Sequence, residues 1–215
     1  AGVLPSIGHT SASFEVAEAF LAGVRQGLSG RPTTATHLFN GMPPLHHRAA
    51  GPVAACLAAA RDRALVAELV ADGVHLAPGT VRTMFDLLGP DGIALVTDAM
   101  AAAGMPDGRY ELGPMSVRVA DGVARLASAG DPDDPDRDGG GSIAGGTAHL
   151  VEVVQCTVAA GVPLVDAVRS ASWVPAAVLG LSDVGGLVAG RRADVVVADE
   201  HLRVTAVYRA GVLVA

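Results

Sequence analysis

The sequence predicts an α/β protein built on a parallel sheet, with a small β layer appended at its end. Three observations predict this. Between residues 1 and 98, four short apolar runs of strand character each lead into a stretch of helical periodicity or a turn. Each run delivers a chemically capable residue at its carboxyl end: His9, His37, His75 and Asp98. From residue 185 onward, short apolar runs follow one another outside any strand–helix repeat. Consecutive βα units place their strands side by side and in parallel, with the variable loops and their chemistry on one edge.

The first unit is a strand over Gly2 to Gly8, then His9, then a helix over Phe14 to Leu28. Thr10, Ser11 and Ser13 are its candidate N-caps, with Glu15 and Glu18 in its first turns. The second is Thr33 to Thr36, then His37 and a turn through Asn40, Gly41, Pro43 and Pro44, then a helix from Pro52 to Arg63. The third is a strand over Ala64 to Val70, the tip Asp72, Gly73, Val74 and His75, and a helix over Pro78 to Leu88. The fourth begins with Ile93 to Val96 and ends in Thr97, Asp98 and Ala99.

Beyond Asp98, Tyr110 to Leu112, Met115 to Val119 and Val123 to Leu126 read as short strands, with Asp121-Gly122 as a hairpin turn. Residues 128–142 read as an acidic, flexible loop, either a solvated excursion or a lid. Ala144 to Ala160, Pro163 to Ser172 and Trp173 to Leu181 read as helical. Ala193 to Ala198, Val204 to Tyr208 and Val212 to Val214 read as strands. The expected division is a barrel-type domain over 1–184, with a hairpin and loop insertion over about 105–142, and sandwich strands over 185–215.

Composition narrows the functions. Half of the residues are hydrophobic, which supports a substantial core. The net charge is −7 and no basic stripe with interleaved aromatics occurs, which argues against nucleic acid and anionic membrane as partners. No apolar run is long enough for a membrane span, and no signal segment opens the chain. There is no lysine, so Schiff-base chemistry and a lysine-derived metal bridge are excluded within this segment. Cys56 and Cys156 lack CxxC spacing and read as free buried thiols, in keeping with a reducing cytoplasm.

The tips can do metal chemistry. Imidazoles from adjacent strand ends, here His9 and His37, are good ligands for a divalent ion such as zinc. An aspartate from a later strand, Asp98, can shuttle the proton of an activated water. Asn40, the one asparagine of the chain, reads either as part of an Asn-Gly turn or as a group with a specific polar task. With the backbone amides around Gly41 and the Arg48 guanidinium, it could form an anion clamp, or Arg48 could be a surface arginine. His46 and His47 read as residues of the loop mouth, and His149 and His201 as structural.

GHTSA at 8–12, THLFNGM at 36–42, HHR at 46–48, ADGVH at 71–75, VTDAM at 96–100 and GSIAGG at 141–146 follow in an order and spacing that resemble the N-acetylglucosamine-6-phosphate deacetylases of the amidohydrolase superfamily. The run GGLVAGRRADVVVAD at 185–199 is similar to that superfamily's closing β segment. The resemblance implies the second half of a TIM barrel of the metal-dependent hydrolase type with a small β-sandwich portion. It also implies a divalent metal, zinc or else iron or another transition metal, on His9 and His37, with Asp98 as general acid and base. Asn40, Gly41, Arg48 and His75 would hold a phosphorylated sugar, with Arg48 reaching into the site of a homodimer partner, and Ile143 would line the pocket. The implied reaction is hydrolysis of the N-acetyl group of a sugar phosphate to acetate and the free amine.

The chain departs from that pattern in three places. Gly41 replaces an alanine, which would loosen the backbone contact, and Gly146 replaces a serine, which removes a hydroxyl. The family's metal-binding glutamate and early strands would lie before Ala1, and the chain starts without methionine at the edge of a strand. A half barrel leaves sheet edges open, so the isolated chain is expected to be inactive or to need a partner to close it. Two other readings remain open: an amidohydrolase acting on a different amide, and a non-catalytic remnant that binds sugar phosphate.

Overall fold

The computed structural model describes residues 3–28, 31–127 and 141–215. Its centre is a four-stranded parallel sheet in the order β1 (Ser6–Ile7), β2 (Thr33–Ala35), β3 (Leu65–Leu69), β4 (Ile93–Leu95). Neighbouring strands pair Ile7 with Ala35, Ala35 with Ala67, and Leu69 with Leu95, so the four carboxyl ends lie along one edge. Between them run α1 (Phe14–Gly27), α2 (Gly51–Arg61) and α3 (Pro78–Leu88), each a crossover of the kind parallel pairing requires.

The helix ends follow from local chemistry. Ser13 caps α1 by accepting the Val16 amide, and of the three candidate caps it is the one used. Pro52 and Pro78 occupy the first turns of α2 and α3, where a missing N–H costs nothing, and Gly89 ends α3 at φ 65°.

Alternation along the strands separates the two faces of the sheet. Leu65, Ala67 and Leu69 of β3, with Ile93 and Leu95 of β4, turn to one side and pack with Leu21 of α1, Cys56 of α2 and Phe85 of α3 in the main core. Val66 and Ala94 turn to the other side, where Val174 and Val178 of α6 (Trp173–Leu179) meet them beside Leu4. Both cysteines are free thiols, and burial pushes the Cys56 thiol up to about 11.

After β4 the chain builds a meander of β5 (Gly108–Leu112), β6 (Met115–Ala120) and β7 (Val123–Leu126). Its β6–β7 turn has Asp121 at φ 50° and Gly122 at φ 72°, the left-handed pair that a tight hairpin needs. Helices α4 (Leu150–Ala159), α5 (Leu164–Ala171) and α6 follow, and then an antiparallel sheet of β8 (Val195–Ala198), β9 (Val204–Arg209) and β10 (Val212–Leu213). The α/β class and the appended β strands agree with the sequence reading. The loop expected over 128–142 falls, from 128 to 140, outside the described residues.

One expectation needs correcting. The helix read from Ala144 starts only at Leu150. Residues 141–146 instead run in extended contacts, with Leu126 donating to the Ser142 carbonyl, Ala144 donating to the Ala124 carbonyl, and Gly146 bridged in parallel to Ala99. Gly145 and Gly146 break the apolar period, and His149 with Glu152 supplies the actual helix start through a reciprocal cap. Several strands are also shorter than read; β1 is confined to Ser6–Ile7.

Candidate active site

The four tip residues gather as two couples on the carboxyl edge of the sheet. His9 follows β1 and His37 follows β2, and their rings meet edge to face with centroids 4.6 Å apart. His37 is buried, and its Nδ1 has no hydrogen-bond partner. A buried nitrogen left unpaired costs about 1–3 kcal/mol, so His37 Nδ1 calls for a partner that the described residues do not supply.

The second couple joins β3 to β4. Asp72 Oδ1 accepts the backbone amides of Val74 and His75, and Asp72 Oδ2 lies 2.8 Å from His75 Nδ1. The other nitrogen of that ring, Nε2, lies 3.8 Å from Asp98 Oδ2. The side chains of Asp72 and His75 are almost wholly buried, whereas that of Asp98 is 38% exposed. Burial pushes the Asp72 carboxyl up, but the hydrogen bonds from the His75 ring and from the His75 and Val74 amides outweigh it and hold the group below the usual carboxylate range.

Three of the tip residues sit in left-handed backbone: His9 at φ 43°, His37 at φ 32° and Asp98 at φ 49°. Such positions are uncommon outside glycine, cost of order 1–3 kcal/mol each and concentrate at functional sites. The conformation turns each side chain at the strand end instead of continuing the strand's alternation.

Neighbouring segments hold these conformations. Asn40 donates from both its backbone N and its Nδ2 to the His37 carbonyl, which closes the turn after β2. Gly41, at φ 62°, lies directly against the His9 ring, and a Cβ there would come within 2.5 Å of His9 Nδ1. The absent methyl is the space the imidazole edge uses, so this glycine packs tightly against His9. The Gly146 amide donates to the Asp98 carbonyl at 2.6 Å, and a Cβ on Gly146 would overlap the Thr97 carbonyl oxygen. The 141–146 segment thus buttresses Asp98, a role that sequence reading missed although the paired glycines were its signal.

The remaining candidates lie around this centre. Arg48 is on the exposed loop before α2, and its guanidinium makes no hydrogen bond or ion pair among the described residues. On the same loop His46 and His47 stack at 4.2 Å. Ile143 is half-buried and bridged to Arg125, three residues before the Gly146 contact with Asp98. His149 caps α4, and His201 is exposed near β9.

As to a metal, the donor chemistry fits in part. Two adjacent imidazoles, one with an unsatisfied buried nitrogen, suit a divalent transition ion, but a catalytic zinc site ordinarily has three protein ligands. Among the described residues no group of three or more His, Cys, Asp or Glu side chains is placed to hold an ion.

A parallel α/β sheet that carries an imidazole couple and an Asp–His–Asp chain at its carboxyl edge has the make-up of a metal-dependent hydrolase of the α/β class. The Amidohydrolase family model matches residues 18–214, and the chain belongs to that family, one of divalent-metal enzymes. It is 37% identical over 218 residues to an N-acetylglucosamine-6-phosphate deacetylase of Lysinibacillus sphaericus, covering 98% of this chain and 49% of that protein. A putative N-acetylgalactosamine-6-phosphate deacetylase of Escherichia coli K12 is 39% identical over 179 residues, covering 82% of this chain and 98% of that protein. Among solved structures, an N-acetyl-D-glucosamine-6-phosphate deacetylase mutant from Mycobacterium smegmatis, in complex with N-acetyl-D-glucosamine-6-phosphate, superposes with a TM-score of 0.83 at 40% identity, covering 99% of this chain and 51% of that one. The chain therefore spans about half the length of several relatives that it matches almost end to end.

Proposed function

We propose that this chain carries the proton-transfer and substrate-binding half of an N-acetylglucosamine-6-phosphate deacetylase, an enzyme that hydrolyses the N-acetyl group to acetate and glucosamine 6-phosphate. The observation that supports this most is the pairing of the two couples on one strand edge, with His9, His37 and Asp98 in left-handed backbone at their strand ends. His9 and His37 would hold a divalent ion, zinc or else iron or another of the transition metals that imidazole ligands suit. Bound there, the ion would supply a Lewis acid that makes a water nucleophilic near neutral pH.

The chain's own residues would do the rest. Asp98, the most exposed carboxylate of the tips, accepts the proton of the attacking water and returns it to the amine nitrogen as the C–N bond breaks. His75 holds the substrate through Nε2. Arg48 and the backbone amides near Gly41 meet the phosphate, with Arg48 contributed across a homodimer, and Ile143 lines the sugar side. The parallel sheet would form half of a TIM barrel and β8–β10 part of a small sandwich, with domains at 1–184 and 185–215. The expected setting is the cytoplasm; among the described residues no helix is long and apolar enough to cross a membrane.

The test is acetate release from N-acetylglucosamine 6-phosphate, with zinc, by this chain mixed with the half of the M. smegmatis deacetylase that it does not match. Turnover that requires both halves supports the reading. Equal turnover of the unphosphorylated sugar would indicate a different amide substrate, preference for the galactosamine epimer would reassign the sugar, and no turnover would favour a non-catalytic remnant.

A further inference from the structure

The Asp72–His75 contact lies outside the proton-transfer step, and its geometry is more constrained than catalysis by Asp98 demands. Asp72 uses both oxygens: Oδ1 takes two backbone amides at 2.9 and 2.8 Å, and Oδ2 meets His75 Nδ1 at 2.8 Å. The two amides fix the carboxylate against the 72–75 turn, so the ring nitrogen opposite it has no alternative partner on that side. An ionised carboxylate has no proton to offer, so His75 Nδ1 must be the donor. When one ring nitrogen is committed in this way, the other becomes the working nitrogen. Here that nitrogen is Nε2, which faces Asp98 Oδ2 from 3.8 Å, too far for a direct hydrogen bond.

We propose that Asp72 is a positioning residue: its carboxylate, anchored by the Val74 and His75 amides, keeps the Nδ1 proton on His75 and so reserves Nε2 for the substrate beside Asp98. The assignment rests on the reading of His75 as a substrate-binding group. Nδ1 stays protonated whether the ring is neutral or charged. In the neutral ring Nε2 accepts from a hydroxyl, and in the charged ring it donates to an anionic oxygen. Without Asp72 the ring is free to place its single proton on Nε2 and to rotate within its buried slot.

Asp72→Asn is the informative variant because its Oδ1 can still accept both backbone amides, while its amide nitrogen can donate where the carboxylate accepted. Two-bond 1H–15N correlation spectra of the 215-residue chain at pH 8, with His75 assigned by its loss in His75→Gln, report which ring nitrogen carries the proton. The expected result is a protonated Nδ1 in the wild type and a shift of the proton to Nε2 in Asp72→Asn. A wild-type ring protonated on Nε2 alone overturns the proposal, and that reading needs no variant to fold. An unchanged pattern in Asp72→Asn overturns it as well. In the complemented deacetylase, Asp72→Asn should raise KM for the sugar phosphate by about 10–100-fold, in the range of lost supporting shells around functional histidines, with a smaller change in kcat. An unchanged KM contradicts the role in binding. Failure of complemented wild-type protein to deacetylate would fault the proposed function alone, because the spectra do not depend on turnover.

Discussion

At Asp98 the backbone conformation and the chemistry of the side chain can be separated by three substitutions. The residue sits at φ 49°, and its side chain is 38% exposed, so truncation leaves no sealed cavity. An alanine in left-handed backbone costs about 1–2 kcal/mol relative to its right-handed form. Glycine escapes that cost but gives back part of the gain, about 0.4–1 kcal/mol, as unfolded-chain entropy. Asp98→Gly should therefore be more stable than Asp98→Ala by about 1 kcal/mol, or about 2–4 °C in Tm for a chain of this size. Asp98→Asn should match the wild type within about 0.5 kcal/mol, since asparagine tolerates the same backbone and the His75 contact is long and partly exposed. Thermal unfolding followed by circular dichroism reads all three. In the complemented enzyme Asp98→Asn should lower kcat by about 100- to 10,000-fold as the proton acceptor is lost. Alanine at least as stable as glycine would refute the left-handed assignment, and an Asp98→Asn enzyme of full activity would refute the proton-transfer role.

Two further outcomes follow from the same geometry. Gly41→Ala puts a methyl 2.5 Å from His9 Nδ1 at a backbone φ of 62°, so it should cost about 1–2 kcal/mol in thermal unfolding and push the His9 ring aside, weakening zinc binding in calorimetry. Asp72, held below its usual value of 3.8, contributes stability that is present above that value and lost as pH falls through its lower folded value. Urea unfolding should accordingly show wild type more stable than Asp72→Asn at pH 7, with the gap closing under acid; a constant gap would contradict the paired carboxylate.

Much of the architecture was legible because local signals and global pattern agree. Helix α3 was read to its observed bounds, Pro78–Leu88, since a proline opens it, a glycine follows it and its apolar residues recur at helical spacing. The β6–β7 turn was equally plain from Asp121-Gly122. The start of α4 lies later than the sequence reading has it because Ala144 and the apolar run beyond it share a composition with the helix, and the paired glycines Gly145 and Gly146, which contact Asp98 and Thr97, are the signal that sets them apart. The tip histidines and the pairing of His9 with His37 are legible in the sequence, but the edge-to-face ring geometry is not, because it depends on left-handed turns that no periodicity encodes. The sequence reading singles out His75 and not Asp72, although an aspartate followed by glycine, with a polar residue three positions on, is an Asx-turn pattern in which the carboxylate takes the amides two and three residues on, here those of Val74 and His75. The motif around Arg48 suggests an anion clamp, whereas its exposed loop position supplies no contact among the described residues that fixes such a role.

Zinc titration by calorimetry tests the imidazole centre most directly, provided the exposed His46–His47 stack is removed as a competing site by mutating both to alanine. In that background one zinc should bind per chain, and His9→Ala or His37→Ala should each abolish binding, while His149→Ala leaves it unchanged. Zinc uptake that survives loss of both His9 and His37 would contradict the placement of the metal at the β1 and β2 tips.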